Sequence, residues 1–179
     1  MEYCTNISEL KVKLKENKGL TAGENEFFEL KTMILREKIT PAELSELKDA
    51  IKSSRYLDKS QLRNLFISSI SSKNLTLIKI FFDTSYIQYT DSDVILKKAI
   101  ETNNLEIVEF LLSKGLNPNA VFNFRNSYVN VMYFAFPNRE MIELFQSYGG
   151  TLRNTKAILN RARTPEEMKL AKTLLEGRI

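Results

Sequence analysis

The stretch NNLEIVEFLLSKGLNPNA, residues 103–120, decides most of what the sequence predicts about the fold. Its apolar residues recur at the three- and four-residue spacing of an amphipathic helix: Leu105, Ile107, Val108, Leu111 and Leu112. Gly115 marks the end of that helix, because glycine accepts the left-handed conformation with which many helices end. The Asn-Pro-Asn sequence that follows predicts a turn. A single short helix of this kind needs a stacked neighbour to bury its apolar side.

The same pattern returns along the chain with a nearly constant period. Asn104 and Asn138 each precede a helical apolar pattern, and the interval between them equals that between Gly115 and Gly149. Asn74 opens a similar pattern a slightly shorter interval before Asn104. In each copy a first helix is predicted before the asparagine, around residues 60–70 with Ser60 as its cap, 94–100 and 129–135. A shortened fourth copy is predicted from the helical patterns of 155–159 and 164–177.

A helix pair followed by a glycine and a polar turn, with a period of about 33 residues, resembles an ankyrin repeat. The resemblance is clearest in residues 92–120 and weaker in 60–91 and 127–177. The Thr-Pro-Leu-His start of the usual first helix is missing, and Val94-Ile95-Leu96-Lys97 stands in its place. Asn103 replaces the usual glycine between the helices, and asparagine also tolerates the left-handed conformation.

We therefore expect an all-α fold. It consists of an ankyrin-like array of about three to four units over 60–179, preceded by an N-terminal helical extension or cap over 1–59. Within the extension, Thr40-Pro41-Ala42-Glu43 predicts a helix start, with Thr40 as the N-cap, Pro41 in the first turn and Glu43 completing a capping box. A plain helical bundle with accidental periodicity is the alternative.

Composition excludes several classes of enzyme. The chain has no histidine and one cysteine, Cys4, so His-based nucleophile pairs, imidazole general bases and thiolate or histidine zinc sites are not available. The tight carboxylate groups, Glu166-Glu167 and the acids at 24, 26 and 29, are expected at helix starts, where they complement the helix dipole. We expect a protein that is not an enzyme and has no catalytic residues, metal or cofactor.

The net charge of +4 comes from the C-terminal segment. Residues 151–179 hold 7 basic and 3 acidic side chains, whereas the part of the chain before them is balanced. Four cations without an intervening acid form a candidate anion-binding segment: Arg153, Lys156, Arg161 and Arg163. Without interleaved aromatic residues this segment is a weak match to a nucleic-acid interface, so nucleic-acid or anionic-surface binding is the alternative function.

The main hypothesis is binding to another protein. In ankyrin-like arrays, partners meet loop tips and the surface formed by the first helices. The long loop 117–128 is unusually aromatic, and alternation of rings with polar residues predicts a short β-hairpin there. The resemblance places the partner-binding candidates in this loop, in the equivalent earlier loop and on the first helix of the middle repeat: Phe122, Phe124, Arg125, Tyr128, Tyr86, Tyr89, Lys97 and Lys98.

The sequence also suggests a cellular setting. It has no apolar run of eighteen residues and no secretory signal pattern at Met1, and a lone cysteine suits a reducing compartment. We expect a cytoplasmic interaction module, alone or in complex with its partner. A viral or bacterial protein that acts on a host factor in the host cytosol would fit this description.

Overall fold

A computed structural model describes residues 21–36, 39–53, 57–83, 92–124, 127–152 and 155–177. The described chain is mostly helical, with one two-stranded hairpin, which confirms the expected helical class. None of its helices is long and apolar enough to cross a membrane. The chain divides into two compact units, one of residues 1–72 with 76–86 and one of residues 73–75 with 87–179. The predicted division after residue 59 stays a prediction; the compact units group the two helices after that point with the N-terminal ones.

The first unit contains four described helices: α1 (Ala22–Ile34), α2 (Pro41–Ser53), α3 (Lys59–Ser71) and α4 (Leu75–Asp83), the last from Thr76 onward. Helix α1 packs against α3. The buried side of these helices includes Ile34, Leu47, Ile51 and Leu65.

Capping boxes fix where α1, α2 and α3 begin. The Thr40 backbone N–H donates to the Glu43 carboxylate (2.8 Å) and the Glu43 N–H donates to the Thr40 hydroxyl (3.3 Å), which confirms the predicted start of α2. Helix α3 begins earlier than the sequence predicts. Asp58, and not Ser60, caps the helix. Its carboxylate accepts from the Gln61 N–H, and its own N–H donates to the Gln61 side chain, which completes the capping box.

The second unit is built from successive helical pairs. In chain order its elements are α5 (Ser92–Glu101), α6 (Leu105–Ser113), β1 (Val121–Phe124), β2 (Ser127–Asn130), a 3-10 helix (Val131–Phe134), α7 (Arg139–Ser147), α8 (Thr155–Leu159) and α9 (Pro165–Leu175). Helix α5 packs against α6 and the 3-10 helix, α6 packs against α7, and α8 packs against α9. We treat α5–α6 as one pair and the 3-10 helix with α7 as the next. The first elements of the two pairs therefore contact each other, and so do their second helices.

The helix ends of α6 and α7 are made by the same devices, as their spacing predicts. Asn104 and Asn138 are the N-caps, and each accepts from the backbone N–H three residues later. Gly115 and Gly149 follow the two helices in the left-handed region, at φ of 88° and 81°. Asn103, at φ of 53°, supplies the left-handed turn before α6 and accepts a hydrogen bond from the Asn138 side chain (2.8 Å), which links the two pairs.

The predicted helix over 129–135 is wrong. Val129 and Asn130 belong to β2, where they pair with residues of β1. The buried Asn130 side chain accepts from the Met132 N–H (2.7 Å), so the strand passes directly into a single 3-10 turn. Pro137 limits that turn, because a residue before proline disfavours the helical conformation; the Phe136–Pro137 peptide is cis.

Candidate interaction surface

The aromatic loop of the second unit forms the hairpin that its alternation predicts. Strands β1 and β2 pair antiparallel, with Asn123 opposite Tyr128 and Phe122 opposite Val129. The Val131 N–H donates to the Ala120 carbonyl (2.8 Å) and closes the base of the hairpin.

Polar contacts hold that base in place. The Asn119 side chain donates to the Gly149 carbonyl (2.9 Å), and its oxygen accepts from the Thr151 N–H (2.8 Å). In addition, the Asn119 N–H donates to the side chain of Asn117 (2.9 Å), which forms the turn expected from the Asn-Pro-Asn sequence. The hairpin thus projects from a base that is bonded to the segment after α7.

Among the side chains of the hairpin that the structure describes, two large apolar or aromatic ones are exposed. Tyr128 is 76 % exposed and Val121 is 45 % exposed, and Asn123 is exposed as well. In contrast, Val129 and Asn130 are buried and anchor β2. We call Val121, Asn123 and Tyr128 the hairpin surface. Of the predicted loop residues, Tyr128 is placed here, and the backbones of Phe122 and Phe124 lie in β1.

The remaining loop candidates are five. The side chains of Phe122 and Phe124, and residues Arg125, Tyr86 and Tyr89, lie outside the described part of the structure. Their predicted role in partner binding stays a prediction.

The two lysine candidates of α5 share one carboxylate. The Lys98 ammonium lies 3.2 Å from a carboxylate oxygen of Glu101, and the Lys97 ammonium lies 3.9 Å from the other. Both lysine side chains are about one-third exposed (34 % and 37 %), and two positive charges face one negative charge. Val94, one turn earlier on the same side of α5, is 39 % exposed.

Lys97 also begins a row of contacts that the sequence does not predict. Its ammonium lies 5.2 Å from the ring centroid of Phe134, whose ring meets that of Tyr133 edge-to-face with the centroids 5.3 Å apart. The Arg161 guanidinium lies 4.8 Å from the Tyr133 ring centroid and donates to the Tyr133 carbonyl. We call these four residues the cation–aromatic row. It runs from α5 across the 3-10 helix to the turn after α8, and all four side chains are only partly buried.

The row changes the interpretation of the basic C-terminal segment. Arg161 packs on a ring and does not project with the other cations, whereas Lys156 and Arg163 are at least partly exposed and Arg153 lies outside the described residues. The adjacent aromatic residues Tyr133 and Phe134 could have indicated this site in the sequence. The helix predicted over 129–135 instead counted Phe134 among its apolar, core-facing residues. In the 3-10 turn both rings are partly exposed, and the Tyr133 ring lies against Arg161.

Of the tight carboxylate groups, Glu24, Glu166 and Glu167 lie in the first turn of a helix, as predicted, whereas Glu26 and Glu29 lie further along α1. Glu24 and Glu167 each complete a capping box, with Thr21 and Thr164 as the caps. Hydrogen bonds from the Thr40 N–H and hydroxyl, with the Arg36 guanidinium 2.9 Å away, lower the pKa of Glu43 below its usual value. No cluster of three or more acidic or cysteine side chains in the described ranges could hold a metal ion.

No protein-family model matches the sequence, and no curated protein or solved structure shows significant similarity to it. Function is therefore inferred from the chain's own geometry.

Proposed function

We propose that this chain is a protein-interaction module whose partner contacts the hairpin surface of the second unit. The observation that carries the proposal is the exposed Tyr128 side chain on a hairpin whose base is closed and bonded to the rest of the unit. Tyrosine is enriched at the energetic centres of protein interfaces, because a rigid ring gives a large contact area at a small cost in conformational entropy. A held hairpin lowers that cost further.

We also propose that the second unit is an ankyrin-like array. The equal spacing of Asn104 from Asn138 and of Gly115 from Gly149 supports this, together with the packing of α5 on the 3-10 helix and of α6 on α7. An array presents its loops along one edge, which is where the hairpin surface would meet a partner. A cytoplasmic setting, in the producing cell or in a host cell, suits this proposal.

Paired tyrosine variants test the interaction. The intact protein, Tyr128→Ala and Tyr148→Ala are immobilised at equal density and exposed to a cytosolic extract, and the captured proteins are compared by quantitative mass spectrometry. Tyr148, at the end of α7, is 37 % exposed and serves as the matched control. We expect at least one protein to be retained by the intact chain and by Tyr148→Ala but lost from Tyr128→Ala. Equal capture by all three would refute the hairpin as the binding surface.

Repeating the capture at increasing salt concentration tests the alternative, binding of an anion by the basic C-terminal segment. Capture through the hairpin surface should change little with added salt, since the side chains involved are uncharged. If capture falls steeply with added salt and is the same for the intact chain and for Tyr128→Ala, the basic C-terminal segment is the binding site instead.

A further inference from the structure

We infer that the cation–aromatic row is a second recognition site, and that it takes an extended acidic peptide segment. The inference deepens the proposed function, because it names the chemistry of a partner that the interaction module would bind. It rests on the row itself, not on the hairpin surface.

The charge of Arg161 is the first observation. This side chain is partly buried, and its partners within the described ranges, the ring and carbonyl of Tyr133, are both neutral. No carboxylate of the described residues lies within 4.0 Å of its guanidinium. A cation that is removed from part of its water without a counter-ion favours the approach of an anion, and the planar guanidinium binds carboxylates with two parallel hydrogen bonds.

The other end of the row has the same sign. Lys97 and Lys98 both face the single carboxylate of Glu101, so positive charge exceeds negative charge within this group of three side chains. Lys97 also lies over the Phe134 ring, with its ammonium 5.2 Å from the ring centroid. Two cationic ends therefore flank two rings.

The length of the row limits the ligand. The distances from Lys97 through the ring centroids of Phe134 and Tyr133 to Arg161 set an upper limit of about 15 Å on the separation of the two cations. This limit corresponds to roughly four residues of an extended chain at about 3.3 Å per residue, so carboxylates up to four residues apart on an extended peptide would reach the two ends. The residues between them would lie over the ring edges of Phe134 and Tyr133.

The same geometry argues against nucleic acid. Bases bind to proteins by stacking on open aromatic faces along a line of phosphate contacts. Here a cation covers a face of each ring, the two rings meet edge-to-face, and the row offers two cationic ends. Single strands therefore have little to stack on.

Fluorescence anisotropy with the full chain tests the inference. The probe is a labelled Ser-Glu-Thr-Val-Thr-Glu-Ser peptide, in which threonine and valine favour the extended form. It is compared with the same peptide carrying Gln for Glu, with one carrying adjacent glutamates, and with a labelled thymidine oligonucleotide. We expect the first peptide to bind most tightly.

Charge variants then locate the site. Arg161→Gln and Lys97→Gln should each weaken the binding of the acidic peptide about tenfold or more, the effect of losing one charge-assisted hydrogen bond. Arg161→Lys should recover part of the loss. Arg139→Gln is the matched control: it removes the same charge from an exposed arginine of α7 and should leave binding unchanged. Circular dichroism checks that every variant is folded.

Several outcomes would overturn the inference: no binding of the acidic peptide, equal binding of the Gln peptide, equal loss in Arg139→Gln, or tighter binding of the oligonucleotide. Tyr128→Ala separates this result from the proposed function. It should abolish partner capture and leave peptide affinity intact, so either proposal can fail while the other stands.

Discussion

The pair α5–α6 and the pair formed by the 3-10 helix and α7 differ mainly in their first elements. Helices α6 and α7 have the same length, the same asparagine cap and the same left-handed glycine after them. Their first elements do not match, since α5 is a full α-helix and its counterpart is a single 3-10 turn. The second helices thus keep the same length, cap and terminal glycine, and the largest difference is in the first elements, which hold three of the four residues of the cation–aromatic row.

Core truncations at equivalent positions give the largest effect on this comparison. Leu111 and Phe145 occupy the same position in α6 and in α7, and both are fully buried. We expect Leu111→Ala to lower the free energy of unfolding by about 2–5 kcal/mol and Phe145→Ala by about 3–5 kcal/mol, through lost burial and the cavities left behind. Urea unfolding followed by circular dichroism measures both. If Phe145→Ala costs much less than Leu111→Ala, the later pair is not packed like the earlier one.

The next test concerns a position where the two pairs must differ. Leu116, which follows Gly115, is buried, but the residue that follows Gly149 is Gly150. An added Cβ there would lie 2.7 Å from the Phe145 carbonyl oxygen and 2.8 Å from the Met132 sulfur. We expect Gly150→Ala to destabilise the chain by about 1–3 kcal/mol through overpacking. Unchanged urea stability of Gly150→Ala would mean that Met132 and the Phe145 carbonyl do not approach Gly150 so closely.

The asparagine caps provide a smaller and finer contrast. Asn104→Ala should cost about 1 kcal/mol through loss of the cap. Asn138→Ala should cost more, because the same side chain also donates to Asn103 and thereby joins the two pairs. Thermal unfolding of the two single variants and of Asn103→Ala measures the difference. A double-variant cycle of positions 103 and 138 should be non-additive; additivity would contradict the link.

The smallest effect distinguishes an asparagine cap from the carboxylate of Glu43, which completes the capping box of Thr40. The lowered pKa of Glu43 means that its contribution to stability is present above the usual glutamate range. That contribution is lost as the pH falls below about 4.3, the usual pKa of a glutamate, and through the lower pKa that Glu43 has in the folded state. We expect the difference in urea midpoint between wild type and Glu43→Gln to shrink on acidification. The corresponding difference for Asn104→Ala should be less sensitive to pH, since an amide does not titrate in this range; a parallel decline would refute the assignment.

The sequence predicted the helix starts and the hairpin well where they depend on contacts between residues that are close in the sequence. The helix starts at Thr40, Asn104 and Asn138 followed from residues three or four apart, and the hairpin followed from the alternation of neighbouring residues. The early start of α3 was missed because two nearby residues, Asp58 and Ser60, are both good caps, and only the partner Gln61 decides between them.

Long-range contacts could not be read from local patterns. Residues 129–135 have a helical apolar spacing, but the pairing of Val129 with Phe122 and the cap from Asn130 override it. The contact between Tyr133 and Arg161 joins two distant parts of the sequence and depends on that override. The row was therefore not predictable as a site, although Lys97 and Arg161 are each candidate binding residues in the sequence.

The short 3-10 helix has a consequence for how the molecule would respond to a ligand. It carries Tyr133 and Phe134 on a single turn whose other two residues, Val131 and Met132, are fully buried. Rotation of the whole turn would uncover these two core side chains, which opposes movement of its backbone. We expect any induced fit at the row to be a change in the rotamers of Tyr133 and Phe134 over a backbone that remains in place.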